Sequence, residues 1–147
     1  MRPLLVVFAV LAAACGTGSA DDGAASDDVP TVTDSGVVLQ VGIGDVVRYG
    51  DSPQQFGSLQ LPARASEGPF PVIAFIHGGF WRNRDDSSLY EPQAADARSK
   101  GYATWNIEYR RVGDEGGGYP GTLDDIATAI DALARIDAPL DLDRVFV

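Results

Sequence analysis

Apolar and polar residues follow one another in blocks along the chain, and the blocks change character at residue 72. Before that point, residues 37–41 and 43–49 carry β-branched side chains and are broken by glycines, and residues 56–61 alternate loosely between apolar and polar and stop at Pro62. Short runs of this kind predict two or three opening strands joined by tight turns.

A different pattern begins at residues 72–76 (VIAFI), which form a continuous apolar run. A run without polar alternation is typical of a strand covered on both faces, as in a parallel sheet. Residues 102–107 predict a second central strand, and residues 144–147 predict the beginning of a third.

Two helices are predicted between these strands. Ser88 and Glu91 have the spacing of a capping box. The helix that they open runs to about Lys100, and Gly101 follows as a C-terminal stop. The second helix opens at Thr122, and its apolar side chains recur every three or four residues as one stripe: Leu123, Ile126, Ile130 and Leu133. The alternation of strands and helices predicts an α/β fold with a mostly parallel sheet and flanking helices.

The first 14 residues have the pattern of an export signal. Arg2 supplies a positive start, and residues 4–14 are an apolar run, shorter than the ~20 residues that span a bilayer. Three alanines precede Cys15, the single cysteine of the chain. This arrangement resembles the lipobox of bacterial lipoproteins, in which the cysteine thiol is acylated. The alternative is an ordinary signal peptide that is cleaved a few residues later, with no role for Cys15.

The segment that follows predicts a flexible tether. Residues 16–36 are rich in Gly, Ala, Ser and Thr, and they contain five aspartates and no basic residue. Such a segment cannot bury enough apolar surface to offset the entropy cost of ordering it. The chain thus divides into a signal peptide (residues 1–14), a lipidated acidic tether (residues 15–36) and a domain (residues 37–147). We expect an exported protein, either a lipoprotein of the cell envelope or extracellular.

Composition excludes several classes of function. The chain has 11 basic and 21 acidic residues and a net charge of −10, which argues against nucleic-acid binding, since that requires a basic surface. One cysteine and one histidine exclude Cys-rich zinc sites and two-His metal motifs. The sequence therefore implies no metal and no cofactor. A Ser-His-Asp triad must use the one histidine or draw its histidine from outside this chain.

The candidate chemistry lies in residues 77–81 (HGGFW), directly after the apolar strand. Two glycines at the end of a parallel strand let the backbone turn sharply and leave N–H groups unshielded. Such donors can hold a developing oxyanion in acyl transfer. Most glycine pairs after a strand, however, are tight turns only, and His77 alone would more often be a structural residue than a catalytic base.

The same residues carry a family resemblance. HGGFW resembles the HGGxW oxyanion motif of α/β-hydrolases related to arylformamidases and bacterial feruloyl-esterase-like enzymes. That motif is a relative of the HGGG motif of hormone-sensitive-lipase-like esterases. Residues 106–111 (NIEYRR), 119–125 (YPGTLDD), 49–50 and 59–62 resemble further segments of this family, in the same order. The resemblance implies the N-terminal part of an α/β-hydrolase fold.

Roles for individual residues follow from this resemblance. The amides of Gly79 and Phe80 would form the oxyanion hole, with Gly78 and His77 supporting the loop. His77 would not be the base, because the family's base comes late in the chain. Trp81 would pack beside the acyl pocket or serve as a core aromatic.

An ion pair can also be proposed between the second central strand and the second helix. Arg110 and Asp125 could pair and brace the second central strand against the next helix, or they could remain two solvated charges.

A nucleophile elbow, G-x-S-x-G, is absent from the 147 residues. In the family that the chain resembles, the elbow follows the strand that begins here at Arg144. We therefore expect the Ser-Asp-His triad to lie outside this chain, which would be truncated before the elbow and inactive alone.

Two functions remain. The first is an exported serine hydrolase that acts on a small-molecule ester or amide, most readily a carboxylic ester, and is held at the membrane by a lipid on Cys15. The second is a non-catalytic envelope lipoprotein that uses the hydrolase scaffold for binding. A nucleotide-binding Rossmann protein is disfavoured, since no G-x-G-x-x-G follows the first strand.

Overall fold

Seven strands and two α-helices make up the part of the chain that the computed structural model describes, which is residues 39–40, 46–64, 67–80 and 82–147. Residues 1–38, with the predicted signal peptide, Cys15 and most of the tether, lie outside the described residues, and so does Trp81. The strands are β1 (Leu39–Gln40), β2 (Val46–Arg48), β3 (Phe56–Gln60), β4 (Phe70–Ile76), β5 (Ala103–Ile107), β6 (Ile136–Asp137) and β7 (Leu140–Phe146).

Five of these strands form one mixed sheet in the order β2-β3-β5-β4-β7. Strand β4 pairs in parallel with β5 and with β7, whereas β3 pairs antiparallel with β2 and β5. Two of the predicted central strands, β5 and β7, thus flank β4 in parallel. Strand β7 begins at Leu140 rather than at the predicted Arg144, and it lies at one end of the strand order among the described residues. Strands β2 and β3 form the antiparallel edge at the other end. Because parallel strands end at the same edge of the sheet, the loops after β4 and β5 lie side by side. Strands β1 and β6 form a separate parallel pair.

The first helix begins differently from the prediction. A 3₁₀ turn (Ser87–Tyr90) precedes helix α1 (Glu91–Ser99). Asp86, not Ser88, is the capping residue, and its carboxylate accepts a hydrogen bond from the Ser88 amide at 2.9 Å. The predicted capping box was therefore wrong, because a second good capping residue stands two positions earlier. The helix ends before Gly101, as predicted, and Gly101 has a φ of 90°.

Helix α2 (Gly121–Ala132) packs on the sheet through small and polar side chains and through most of the predicted apolar stripe. Leu133, directly after the helix, is buried, and Ile126 and Ile130 are partly buried against the core, whereas Leu123 is 46% exposed. The buried side chains of this helix are Thr122, Asp125, Ala129 and Ala132. Small side chains let the helix approach the sheet closely, and the carbonyl of Ala129 accepts a hydrogen bond from the Trp105 indole at 2.9 Å.

The core is centred on β5, whose five residues are all buried. Trp105 lies against β3, where Gly57 leaves the space for its ring: a Cβ at Gly57 would stand 2.3 Å from the indole. Strand β4 alternates instead, with Val72 and Ala74 buried and Ile73 half-buried. The strand covered on both faces is therefore β5, which lies in the middle of the sheet, rather than β4. No helix within the described ranges has the length and apolarity to cross a membrane.

Candidate active site

The HGG loop, which we define as residues 77–87, leaves the sheet at the edge where the parallel strands end. It begins directly after β4 and ends at the 3₁₀ turn before α1. Two consecutive residues in it have positive φ values, Gly79 at 119° and Phe80 at 55°. Among the described residues, Phe80 is the one non-glycine residue with a positive φ. The backbone thus turns in a left-handed conformation that L-residues rarely adopt.

This turn leaves two amides available as donors. Within the described part of the chain, neither the Gly79 amide nor the Phe80 amide donates a hydrogen bond, and the Gly79 carbonyl accepts one from the Arg82 amide at 3.1 Å. Neither amide belongs to the ladder of the sheet, and the Phe80 side chain is 90% exposed. Two adjacent free N–H groups at a strand end can bind an oxygen that carries negative charge.

Steric space explains the glycine at position 79. A Cβ there would stand 2.5 Å from Oδ2 of Asp85, which lies later in the same loop, whereas a Cβ at Gly78 would meet nothing within 4 Å. Position 79 therefore favours glycine because of its φ of 119°, and a Cβ there would in addition displace the Asp85 side chain.

His77 lies inside the fold, with a buried ring that stacks on the Tyr109 ring at a centroid distance of 4.3 Å. Its Nε2 lies 3.1 Å from Oε1 of Glu108, and its Nδ1 lies 3.1 Å from the Gly78 carbonyl. Both ring nitrogens thus face oxygen acceptors of neighbouring residues. These contacts hold the imidazole between Glu108, Tyr109 and the start of the loop.

Glu108 is the carboxylate that the HGG loop surrounds. Its Oε1 faces His77, and its Oε2 accepts a hydrogen bond from the Ser87 amide at 2.9 Å. The Tyr109 amide also donates to Oε1, at 3.1 Å, and Arg111 lies 3.5 Å from that oxygen. Burial acts to raise the pKa of Glu108, but the hydrogen bonds from His77 and Ser87 act against it, and the pKa is lowered from its usual value.

Neighbours of Glu108 in sequence make further contacts with the same loop. The Tyr109 hydroxyl donates to the His77 carbonyl, and burial raises the pKa of Tyr109, so the phenol remains a donor. Arg111 donates to the carbonyl of Asp85. Residues 106–111 resemble a family segment, but the sequence indicated no role for Glu108, Tyr109 or Arg111. The resemblance of this segment was the one sequence feature that pointed to these three residues.

Arg110 points away from the HGG loop and toward helix α2. Its guanidinium contacts both oxygens of Asp125, with Nη2–Oδ1 at 2.6 Å and Nε–Oδ2 at 2.9 Å. The Arg110 amide and the Gln55 side chain donate to the same carboxylate, at 3.0 and 2.7 Å. Asp125 is buried. The predicted bracing ion pair is therefore confirmed, and the alternative of two solvated charges was wrong.

Of the predicted site residues, the structure brings His77, Gly78, Gly79 and Phe80 together in one turn. Trp81 and Cys15 lie outside the described residues. Within the described ranges, no group of three or more His, Cys, Asp or Glu side chains is arranged as metal ligands.

Comparison with known proteins identifies a sequence family. The BD-FAE family model matches residues 58–147. This range contains β4, β5 and β7, the HGG loop and the Arg110–Asp125 pair. No curated protein sequence gives a significant match to the chain.

Solved structures show the same fold. A bifunctional GH43-CE protein from Bacteroides eggerthii superposes with a TM-score of 0.58 at 23% identity, covering 67% of this chain and 14% of that one. A bacterial heroin esterase gives 0.52 at 25% identity, with coverages of 61% and 28%. An α/β hydrolase from a Medee basin deep-sea metagenome library gives 0.51 at 18% identity, with 69% and 43%. The described residues therefore form part of an α/β-hydrolase fold, and the chain spans less than half the length of each of these proteins.

The ionised state of Glu108 is expected to contribute to stability in a pH-dependent way. Because its pKa is lower in the folded state, its contribution is present above the unfolded-state pKa of about 4.3 and is lost as the pH falls through the folded value. Glu108→Gln in the complete protein should reduce the free energy of unfolding by about 1–3 kcal/mol at neutral pH, since it removes the charged acceptor of the hydrogen bonds from His77 and Ser87. Denaturant titrations at decreasing pH should show the difference from wild type shrinking below about pH 4.3.

A matched control is Asp96→Asn, which removes an exposed carboxylate that is paired with Lys100 on α1. Its effect should stay within about 1 kcal/mol. A difference between wild type and Glu108→Gln that stayed constant from neutral to acidic pH would contradict the pKa assignment.

Proposed function

The chain belongs to the BD-FAE family, and from this premise we propose that the complete protein is a serine hydrolase that cleaves carboxylic esters. The observation that carries the proposal is that the amides of Gly79 and Phe80, at the end of a central parallel strand, donate no hydrogen bond to any residue that the structure describes. Family membership and the esterase among the similar structures support the same reaction class.

The two amides would act on the tetrahedral intermediate. When a serine oxygen attacks the ester carbonyl, the carbonyl oxygen gains negative charge, and fixed N–H donors stabilise that charge more than they stabilise the ground state. Collapse of the intermediate expels the alcohol and leaves an acyl-enzyme, which water then hydrolyses to the free acid. Removal of one such donor costs roughly 10²–10³-fold in kcat.

The nucleophile and base are proposed to come from outside this chain. The 147 residues contain no G-x-S-x-G, and their single histidine, His77, is engaged by Glu108. We therefore infer that residues 1–147 by themselves are inactive and contribute the oxyanion hole to a larger catalytic unit.

Small-molecule esters are the proposed substrates. Two aromatic side chains, Phe80 and Tyr119, are 90% and 85% exposed, and they belong to the loops that follow β4 and β5. Exposed aromatic side chains at the ends of these strands provide apolar surface for the organic part of an ester. Amides of similar size remain within the proposed class.

Location is proposed from the sequence alone. The apolar run that ends at Cys15 supports export, acylation of the cysteine thiol and a membrane anchor, with residues 15–36 as the tether of the domain. The domain would then act at the cell envelope.

Ester turnover tests the proposal directly. The protein translated from the full reading frame should hydrolyse p-nitrophenyl acetate and take up a fluorophosphonate label, whereas residues 1–147 alone should do neither. Loss of both properties in the full protein would favour the non-catalytic binding protein. Serine-dependent turnover by residues 1–147 would contradict the proposed location of the triad.

Gly79→Ala tests the oxyanion turn. The added Cβ meets Asp85, and the φ of 119° disfavours alanine, so the amide should move and kcat should fall by about 10²-fold. Gly101→Ala is the matched control, since Gly101 also has a positive φ, of 90°, but lies at the end of α1 in open space. The control should lower thermal stability and leave kcat unchanged; equal loss of kcat in both variants would argue against the assigned role.

Radiolabelled palmitate tests the anchor. Label should enter the wild-type protein expressed in a bacterium and should be lost in Cys15→Ala, which removes the acceptor thiol. Gly18→Ala, in the same tether, should retain the label. Equal labelling of both variants would show that Cys15 is not acylated.

A further inference from the structure

We propose that Glu108 is a positioning residue for ester hydrolysis, whose carboxylate joins the two ends of the HGG loop and so holds the Gly79–Phe80 turn in its donor geometry. The inference rests on the proposed function for its catalytic consequence. It adds a residue that has no contact with the reacting atoms and that the sequence motif does not reveal.

The carboxylate of Glu108 contacts both ends of the loop at once. Oε1 faces Nε2 of His77, the first residue of the loop, and Oε2 accepts from the amide of Ser87, the last. These partners lie 31 and 21 residues away from Glu108 in sequence. The Glu108 side chain, which follows β5, thus connects the two ends of the loop that follows β4.

The position of Glu108 is itself set by the sheet. Its amide donates to the Phe56 carbonyl at 2.9 Å, and its carbonyl accepts from the Tyr49 hydroxyl at 2.5 Å. Both contacts tie the backbone of Glu108 to the antiparallel edge of the sheet. The sheet therefore fixes the backbone of Glu108, and the Glu108 carboxylate in turn holds the two ends of the HGG loop.

Adjacent residues reinforce each end of the loop. At the start, the Tyr109 hydroxyl binds the His77 carbonyl and its ring stacks on the imidazole. At the end, Arg111 binds the Asp85 carbonyl, and Asn106 donates to the Ser87 carbonyl at 2.8 Å. Residues 106–111 thus contact both ends of the HGG loop, and the Gly79–Phe80 turn lies between these two ends.

A left-handed turn needs such support. The φ of 55° at Phe80 is a conformation that persists only where the surrounding structure determines it. A shift of about 1 Å in a catalytic group can cost roughly 10²-fold in rate. Loosening either end of the loop should therefore reduce transition-state stabilisation more than substrate binding.

Asp125 provides a control of the same chemical kind. It is also a buried carboxylate with an arginine and a backbone amide as partners, but it lies on helix α2 and its contacts reach Arg110 and Gln55 rather than the HGG loop. Loss of charge at Asp125 should destabilise the fold without moving the turn.

Kinetics of the full-length protein with p-nitrophenyl acetate test the inference. Glu108→Gln keeps the shape of the side chain and removes its charge, and it should lower kcat by about 10- to 100-fold with KM within about twofold. Asp125→Asn should lose comparable thermal stability and keep kcat within about twofold of wild type. Inhibition by a boronic acid, which mimics the tetrahedral intermediate, should weaken in Glu108→Gln by about the factor lost in kcat.

A second readout does not depend on turnover. Hydrogen exchange of the peptide that spans residues 77–87 should accelerate in Glu108→Gln and remain at the wild-type rate in Asp125→Asn. Should Glu108→Gln fail to fold, Glu108→Asp carries both measurements, because it keeps the charge but shortens the side chain by one methylene, so that the carboxylate no longer reaches His77 and Ser87 together; kcat should again fall and exchange accelerate.

The outcomes separate the two proposals. Unchanged kcat and unchanged exchange in Glu108→Gln, or equal losses in Glu108→Gln and Asp125→Asn, would overturn the positioning role. A wild-type protein without ester turnover or fluorophosphonate labelling would overturn the proposed function. In that case, faster exchange confined to Glu108→Gln would still establish that this carboxylate holds the loop.

Discussion

An ionised carboxylate can remain inside a protein only if other groups compensate for the loss of water, and this constraint organises the described structure. Glu108 and Asp125 are both buried, and each is surrounded by donors drawn from distant parts of the chain. Glu108 contacts both ends of the HGG loop, and Asp125, on helix α2, contacts Arg110 and Gln55. An unpaired buried charge is strongly destabilising, so the two carboxylates impose a specific arrangement on the elements around them.

The segment that follows β5 is where these two arrangements meet. Consecutive residues take different directions: Glu108, Tyr109 and Arg111 face the HGG loop, whereas Arg110 faces helix α2. Contacts in these two directions connect the loop after β4 and the helix after β5 to a single stretch of backbone. The match to the BD-FAE family includes this stretch together with the loop that it supports.

Sheet topology determines where the unpaired amides lie. Because β4 runs parallel to both of its neighbours, its C-terminal end opens at the edge where ligands bind in α/β sheets. The left-handed turn at Gly79 and Phe80 then directs its N–H groups out of the ladder. The backbone geometry at the end of β4 thus sets the direction of these N–H groups, and the buried carboxylate of Glu108 contacts both ends of the loop that carries them.

The sequence by itself determined the order of β4, α1, β5 and α2 and the strand before the HGG loop, because these depend on local patterns. It offered Arg110 and Asp125 either as an ion pair or as two solvated charges, and the structure decided for the pair. The wrong sequence predictions concern choices between neighbouring residues of similar type. Asp86 rather than Ser88 caps the 3₁₀ turn, and Leu123 faces solvent while Ala129 is buried. Predictions for Trp81 and Cys15 remain predictions. Only the tertiary structure decided what supports the turn, since Glu108 meets His77 and Ser87 across 31 and 21 residues. No periodicity records such a contact, because it arises when parallel pairing brings the ends of β4 and β5 together.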